Sequence, residues 1–279
     1  MRLDAVYDTH GVVHLLLPEA EGVGKMNTVR LRWRTLAPLL LAAVLATGCT
    51  VVRDGAARPA PGLAPQPLTG EAIKRVLPNQ QQLEKLLNHP LSASHLFPPK
   101  FGGIDEMPVG VLSDPKTSPR ECAGVVAQAQ QGSYRGAAVQ NFASEHFAPP
   151  TASTDMVGVD TAAVNLSTPA DAQALFTTFA QQWSRCDGTT VTIFGRNGDA
   201  PQETRAISSV KATDGLLTAS VQATNIGQQV TILRHRALGV RANCIVEVNV
   251  DVDPYFLDSR SAFASSAADI ARLMMDNIG

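Results

Sequence analysis

The rhythm of apolar positions changes along this chain, and each rhythm predicts an element. Over "TPADAQALFTTFAQQWSRC" the residues Ala172, Leu175, Phe176, Phe179, Trp183 and Cys186 recur every three or four places, forming one apolar stripe of a helix. Thr168 as N-cap, Pro169 at the first helical position and Asp171 behind it mark the start. "SPRECAGVVAQAQ" repeats that grammar with Ser118, Pro119 and Glu121, and sets Cys122, Val125, Val126 and Ala129 on one face. A helix from Pro78 through "PNQQQLEKLLN" buries Leu83, Leu86 and Leu87. A last one in "SSAADIARLMMDNI", with Ser266 and Asp269 as cap pair, turns Ile270, Met274 and Ile278 inward.

Between these helices the pattern shifts toward period two. Residues 136–147, 156–166, 189–195, 204–212, 216–224, 229–240 and 244–252 are rich in Val, Ile, Thr and Phe and read as strands. Strands that follow one another, rather than alternating with helices, predict an α+β domain whose sheet is mostly antiparallel and packed with several helices.

One apolar run fits neither rhythm. "TLAPLLLAAVLATGC" is nearly continuous from Thr35, but too short to cross a bilayer as a helix, which takes roughly 20 residues. Arg30, Arg32 and Arg34 precede it, so from Met26 the chain has the charge, apolar core and small residues of an export signal in order. Residues 1–25 carry acidic residues and no targeting logic, and are expected to be an upstream extension of the true start. The ending "LATGC" resembles the lipobox of bacterial lipoproteins: Thr47, Gly48 and Cys49 match, while Ala46 departs from the usual leucine. The resemblance implies a signal peptide over 26–48 and lipidation of Cys49; the alternative is a secretory signal cleaved nearby. A Pro/Ala/Gly tether, "RPAPGLAPQP", follows, so 49–68 reads as anchor and spacer and 69–279 as the folded domain.

Export changes how the cysteines are read. In an oxidising compartment Cys122 and Cys186, each on the buried face of a helix, are expected to form a disulfide. A zinc site is the competing reading, but the six histidines are scattered and there is no Cys-x-x-Cys, so neither metal nor cofactor is expected. With 23 basic against 25 acidic residues and a net charge of −2, no nucleic-acid partner is expected either.

The succession "VLPNQQQLEKLL", "PRECAGVV", "FTTFAQQWSRCDG", "LLTASVQAT", "RHRALGVRANCIVEVNV" and "AADIARLM" resembles the PknH-type extracellular sensor domain, over roughly residues 70–279. That module stands outside the membrane on mycobacterial receptor Ser/Thr kinases and on lipoproteins of the same bacteria. The resemblance implies a domain with a cleft and a sensing role, and carries no agreed binding residues to transfer. It also implies a second disulfide, whose two positions fall here on Arg234 and Asp251.

Independently, if 229–240 and 244–252 form a hairpin turning at Ala242 and Asn243, facing residues have numbers summing to 485, and 234 and 251 do. An exposed Arg234–Asp251 ion pair, worth no more than about 1 kcal/mol, is therefore expected where the bridge is missing; the alternative is that both are merely solvated surface charges. The same register puts Leu233, His235, Ala237, Cys244, Val246, Val248 and Val250 on a core face, and Arg234, Arg236, Glu247, Asn249 and Asp251 on the other. Cys244 then reads as a packed thiol, with dimerisation or disulfide exchange as alternatives, and His235 as a hydrogen-bonded core histidine. The charged side is the candidate ligand face, able to bind an anionic or hydroxylated group through forked hydrogen bonds. Its bland alternative is a solvated sheet face.

Catalytic signatures are missing: no G-x-S-x-G, no H-E-x-x-H, no Walker loop, nothing resembling a kinase. "SEHF" at 144–147 groups Ser, Glu and His, but strand neighbours point to opposite faces, which makes no triad by itself. "NVDVDP" alternates acids without the glycine and closing glutamate of an EF-hand. No catalytic residue is therefore assigned. The leading expectation is a membrane-anchored envelope lipoprotein with a ligand-binding, sensor-like domain. A protein-scaffolding lipoprotein and an unrecognised envelope enzyme are the alternatives.

Overall fold

The computed structural model describes residues 6–7, 13–14, 65–111, 117–151, 156–195, 200–255 and 263–278. The export signal, Cys49 and nearly all of the tether lie outside the described residues. The chain divides into Met1–Asp54 and Gly55–Gly279. Of the first unit only a two-residue ladder is described, Val6–Tyr7 against Val13–His14.

The second unit holds a ten-stranded antiparallel sheet. Its strands are β1 (Ser92–Ala93), β2 (Lys100–Gly102), β3 (Thr117–Ser118), β4 (Val139–Ala148), β5 (Met156–Leu166), β6 (Thr190–Phe194), β7 (Pro201–Thr213), β8 (Leu216–Asn225), β9 (Val230–Arg241) and β10 (Cys244–Val252). The order across the sheet is β1-β4-β5-β10-β9-β8-β7-β6-β3, with β2 also paired to β4. Helices are α1 (Gln80–Leu87), α2 (Ala123–Val126), α3 (Pro169–Cys186) and α4 (Ser266–Asp276), and Gly70–Val76 forms a 3-10 turn that the sequence pattern did not predict.

Helix α3 explains the strand order. Its 18 residues rise about 27 Å, and five strand spacings, from β5 across to β6, span about 24 Å. The helix is thus long enough to carry the chain across the sheet, after which the meander β6 to β10 walks back until β10 pairs with β5. Its start is as expected: the Thr168 side chain accepts from the Asp171 N–H at 3.1 Å. Ala172, Phe176, Phe179, Trp183 and Cys186 are buried, and Cys186 at its last position bonds Cys122.

Two caps depart from expectation. Ser118 lies in β3, opposite Thr192, so it cannot cap; the helical path begins only at Arg120 as a 3-10 turn and ends at Val126. Ala129, although buried, falls beyond the helix with φ +44°. At α4 the N-cap is Ser265 rather than Ser266, and it makes no side-chain capping bond. At α1, Asn79 and Gln82 form a reciprocal capping box that the reading from Pro78 overlooked.

Both faces of the sheet are covered, so the core is double. Every residue of β10 is buried. Its even-numbered side chains, with Ala237 and Val159, pack under α1, α4 and the Gly70–Val76 turn. Ile245, Leu238 and Leu217 on the other side pack under α2 and α3. Asn243 in the β9–β10 turn ties in the start of the domain: its Oδ1 accepts from the Leu68 N–H, and its amide donates to the carbonyls of Leu68 and Leu166.

Candidate functional site

The register of β9 and β10 is the expected one: Arg234 faces Asp251, Arg236 faces Asn249, and the ladder ends with Arg241 opposite Cys244. Arg234 and Asp251 form a forked pair at 2.7 and 2.6 Å. The pair is not exposed as expected: the side chains are 17% and 12% accessible. Burial alone pulls the Arg234 guanidinium down, yet the Asp251 carboxylate outweighs it and holds the group above its ordinary value.

The rest of the charged face is not a solvated surface, because α2 and the segment after it lie upon it. A four-residue helix leaves its last carbonyls unpaired, and the sheet and the segment after α2 supply the donors. Arg236 Nη1 donates to the carbonyls of Gly124 and Val125, Arg205 Nη1 to that of Val126, and Gln130 Nε2 to that of Ala123. Arg236 also donates from Nη2 to Glu247 at 2.7 Å and from Nε to Asn249 Oδ1 at 2.9 Å, with its guanidinium 5.0 Å over the Trp183 ring. Glu247 in turn accepts from the Ala129 N–H at 3.1 Å and the Tyr134 hydroxyl at 2.6 Å. Burial pushes the Arg236 guanidinium down to about 10, so it stays charged at neutral pH. It raises the Tyr134 phenol well above its usual range, helped by Glu247. Arg236, Glu247 and the Asn249 carbonyl oxygen thus anchor a covering segment; they are not open to a ligand.

Where that cover stops, a cleft of about 460 Å³ opens. Its floor carries one polar row across three strands, His146 on β4, Asp160 on β5 and Asn249 on β10, which are register partners in turn. Arg234 closes one side, Ala127, Gln128 and Ala129 another, and Phe97 with Pro98 and Lys100 forms the rim. His146 Nδ1 meets Asp160 Oδ1 at 2.6 Å, and the Phe97 ring stands edge-on to the imidazole at 5.1 Å. The Asp160 hydrogen bond raises the His146 pKa above its ordinary value against a smaller opposing effect of burial. Gly158 makes room for the ring, since a Cβ there would lie 3.0 Å from the imidazole Cε1. With Nδ1 committed to the carboxylate, Nε2 is the ring atom left for a ligand. Asn249, whose Oδ1 is taken by Arg236, keeps its amide N–H groups.

Of the five residues expected to form a ligand face, Arg234 and Asn249 line this cleft. Asp251 holds Arg234 in place, and Arg236 and Glu247 are buried beneath the cover. His146 entered the sequence reading only within "SEHF" and was given no role, while Asp160 and Phe97 escaped it. The signal for the first two was present: Ser144 and His146 share a strand face, and Asp160 is the one charge in an otherwise uncharged strand. Cys244 is a free, buried thiol whose pKa burial pushes up to about 12. His235 is buried, but among the described residues its Nε2 has no hydrogen-bond partner, unlike the satisfied core histidine expected.

The family model of the PknH-like extracellular domain matches residues 68–277. The chain belongs to the PknH-like extracellular domain family. The crystal structure of the extracellular domain of PknH from Mycobacterium tuberculosis superposes with a TM-score of 0.61 at 19% identity, covering 77% of this chain and 98% of that one. It shares the α+β fold. An X-ray structure of an uncharacterised Mycobacterium smegmatis protein is a weaker match, with a TM-score of 0.35 at 16% identity, over 72% of this chain and 96% of that one. No curated protein matches the sequence. In this PknH-like domain the Cys122–Cys186 disulfide is formed, with Cα atoms 5.7 Å apart, and the Arg234–Asp251 pair stands at the positions where the sequence resemblance implied a second bridge.

Proposed function

We propose that this chain is an exported envelope lipoprotein, anchored through Cys49, whose PknH-like domain is a sensor module that binds a ligand in the cleft. The observation that carries the binding role is the His146–Asp160 row beside Arg234 and Phe97. Polar groups there are oriented by partners of their own rather than free to collapse, as a preorganised site requires. Arg234 is largely neutralised by Asp251, so the cleft favours hydroxyl donors and acceptors over a strong anion. The Phe97 ring, 61% exposed at the rim, offers an apolar face to stack upon. A hydroxyl-rich ligand with one apolar face fits this chemistry. The tether and the small-residue motif ending at Cys49 support the anchor.

The test is native mass spectrometry of the protein extracted in detergent from its own envelope. A retained ligand that is lost in His146→Ala and Arg234→Ala supports the cleft; an adduct retained equally in both variants refutes it. In the same spectra, a mature chain beginning at a diacylated Cys49 supports the anchor, and one retaining residues 1–48 refutes it.

A further inference from the structure

Large apolar side chains are exposed on both sides of the mouth of the cleft. Leu96 and Phe97, neighbours in the loop between β1 and β2, line it and are 85% and 61% exposed. Val109, 57% exposed, follows Pro108, which lines the cleft on the side of the cover, its carbonyl accepting from the Gln131 N–H at 2.8 Å. Single apolar residues scattered over a surface are ordinary. A group of them at the lip of a polar cleft marks a surface that meets a partner.

The loop is braced so that these side chains stay outward. The Ser94 N–H donates to the His146 carbonyl at 3.0 Å and the Phe97 N–H to Ser94 Oγ at 3.2 Å, while Pro98 and Pro99 fix the φ angles that follow. Lys100, exposed at the same rim, has no ion pair among the described residues. The combination decides which partner fits. Lysine is depleted from protein–protein interfaces, whereas Leu, Phe and a long-stemmed cation together suit a bilayer surface, apolar tips in the acyl boundary and ammonium among the phosphates.

We propose that this lip docks onto the lipid bilayer, with Leu96 and Phe97 in the acyl boundary and Lys100 against anionic headgroups, so that the cleft opens onto the headgroup layer. The proposal rests on the reading of Cys49 as the anchor, which brings the domain to the membrane. The reach is sufficient. The Leu68 carbonyl, where the tether joins the fold, accepts from Asn165 Nδ2 on β5 at 2.9 Å, and Asp160 on the cleft floor lies about 17 Å back along that strand. Residues 50–67 span about 60 Å at full extension, well beyond that distance.

The experiment places a reporter on the lip, Leu96→Trp, in protein extracted from its own envelope and combined with an excess of vesicles of phosphatidylcholine and phosphatidylglycerol carrying brominated acyl chains. Trp183 is buried, the parent protein supplies the background, and Gln228→Trp, at the exposed β8–β9 turn, is the water-facing control. A blue shift and loss of the added emission at position 96, absent at 228 and abolished when Phe97→Asp is added, is expected. Emission at 96 that matches the control overturns the proposal, as does quenching unchanged by Phe97→Asp. A blue shift already complete without vesicles also overturns it, since a second copy of the chain then covers the lip. The mass of the same preparation separates this result from the anchor reading. An acylated chain with an unquenched reporter sinks the lip alone, an unacylated chain still quenched by vesicles sinks the anchor alone, and an unacylated, unquenched chain sinks both.

Discussion

Replacing Arg236 by Met and Glu247 by Leu together probes what the buried pair does. For an isolated buried ion pair, a well-packed apolar replacement is often neutral or stabilising, by about 1–4 kcal/mol, because two charges no longer need to be desolvated. Here the pair is not isolated. The double variant strands four buried groups: the Val125 carbonyl, the Ala129 N–H, the Tyr134 hydroxyl and the Asn249 Oδ1. Each buried unsatisfied group costs about 1–3 kcal/mol, so the loss is about 8 kcal/mol at mid-range against a gain of at most about 4. A net destabilisation of about 4 kcal/mol is expected, a large part of a domain's whole stability. Urea unfolding with the disulfide intact, read by fluorescence of Trp183 beside the guanidinium, measures it. A double variant as stable as the parent refutes the claim that the pair exists to satisfy the covering segment.

Reducing the disulfide, or changing Cys122 and Cys186 to Ser, releases a loop with a sequence separation of 64 and is expected to lower stability by about 4 kcal/mol in the chain-entropy model, measured as the shift in urea midpoint; an unchanged midpoint contradicts it. His146 has a raised pKa in the folded state, so its contribution to stability is complete below its unfolded pKa of about 6.5 and fades as pH rises through the folded value. The difference in stability between parent and His146→Ala should therefore shrink from pH 5.5 toward pH 8, while Asp160→Asn returns the His146 pKa toward its ordinary value by NMR titration; a pH-independent difference argues against the pairing.

What the sequence revealed and what it hid divide along physical lines. The start of α3 was readable because Thr168, Pro169 and Asp171 act locally, and the β9–β10 register because a two-residue turn at Ala242 and Asn243 leaves little freedom. Ser118 satisfied the same local grammar as Thr168, but pairing with Thr192, far along the chain, took it into a strand. The alternation of apolar and charged residues on β9 and β10 looks the same whether the charged side meets water or a covering segment that supplies hydrogen-bond partners. Nothing local marks 123–134 as that cover, since its anchors are Arg236, Arg205 and Glu247, over 70 residues away. The His146–Asp160 partnership was hidden for a related reason. The connection between β4 and β5 carries no two-residue turn signature from which to count the register.

Arg234 and Arg236 lie two residues apart on one strand face, yet one is the wall of a cleft and the other an anchor. The difference comes from where the cover ends. Over Arg236 the α2 carbonyls take up the guanidinium and the side chain is fully buried; at Arg234 the cover has stopped and a carboxylate from the neighbouring strand is its only described partner. The stretch 127–129 that forms one side of the cleft is the one that Glu247 holds, through the Ala129 N–H and, by its own backbone carbonyl, the Gln128 side-chain amide. Cleft shape and core stability are therefore set by the same network. Loosening that network at Glu247, which does not itself line the cleft, would alter the cleft's shape, which couples the proposed binding surface to the centre of the sheet.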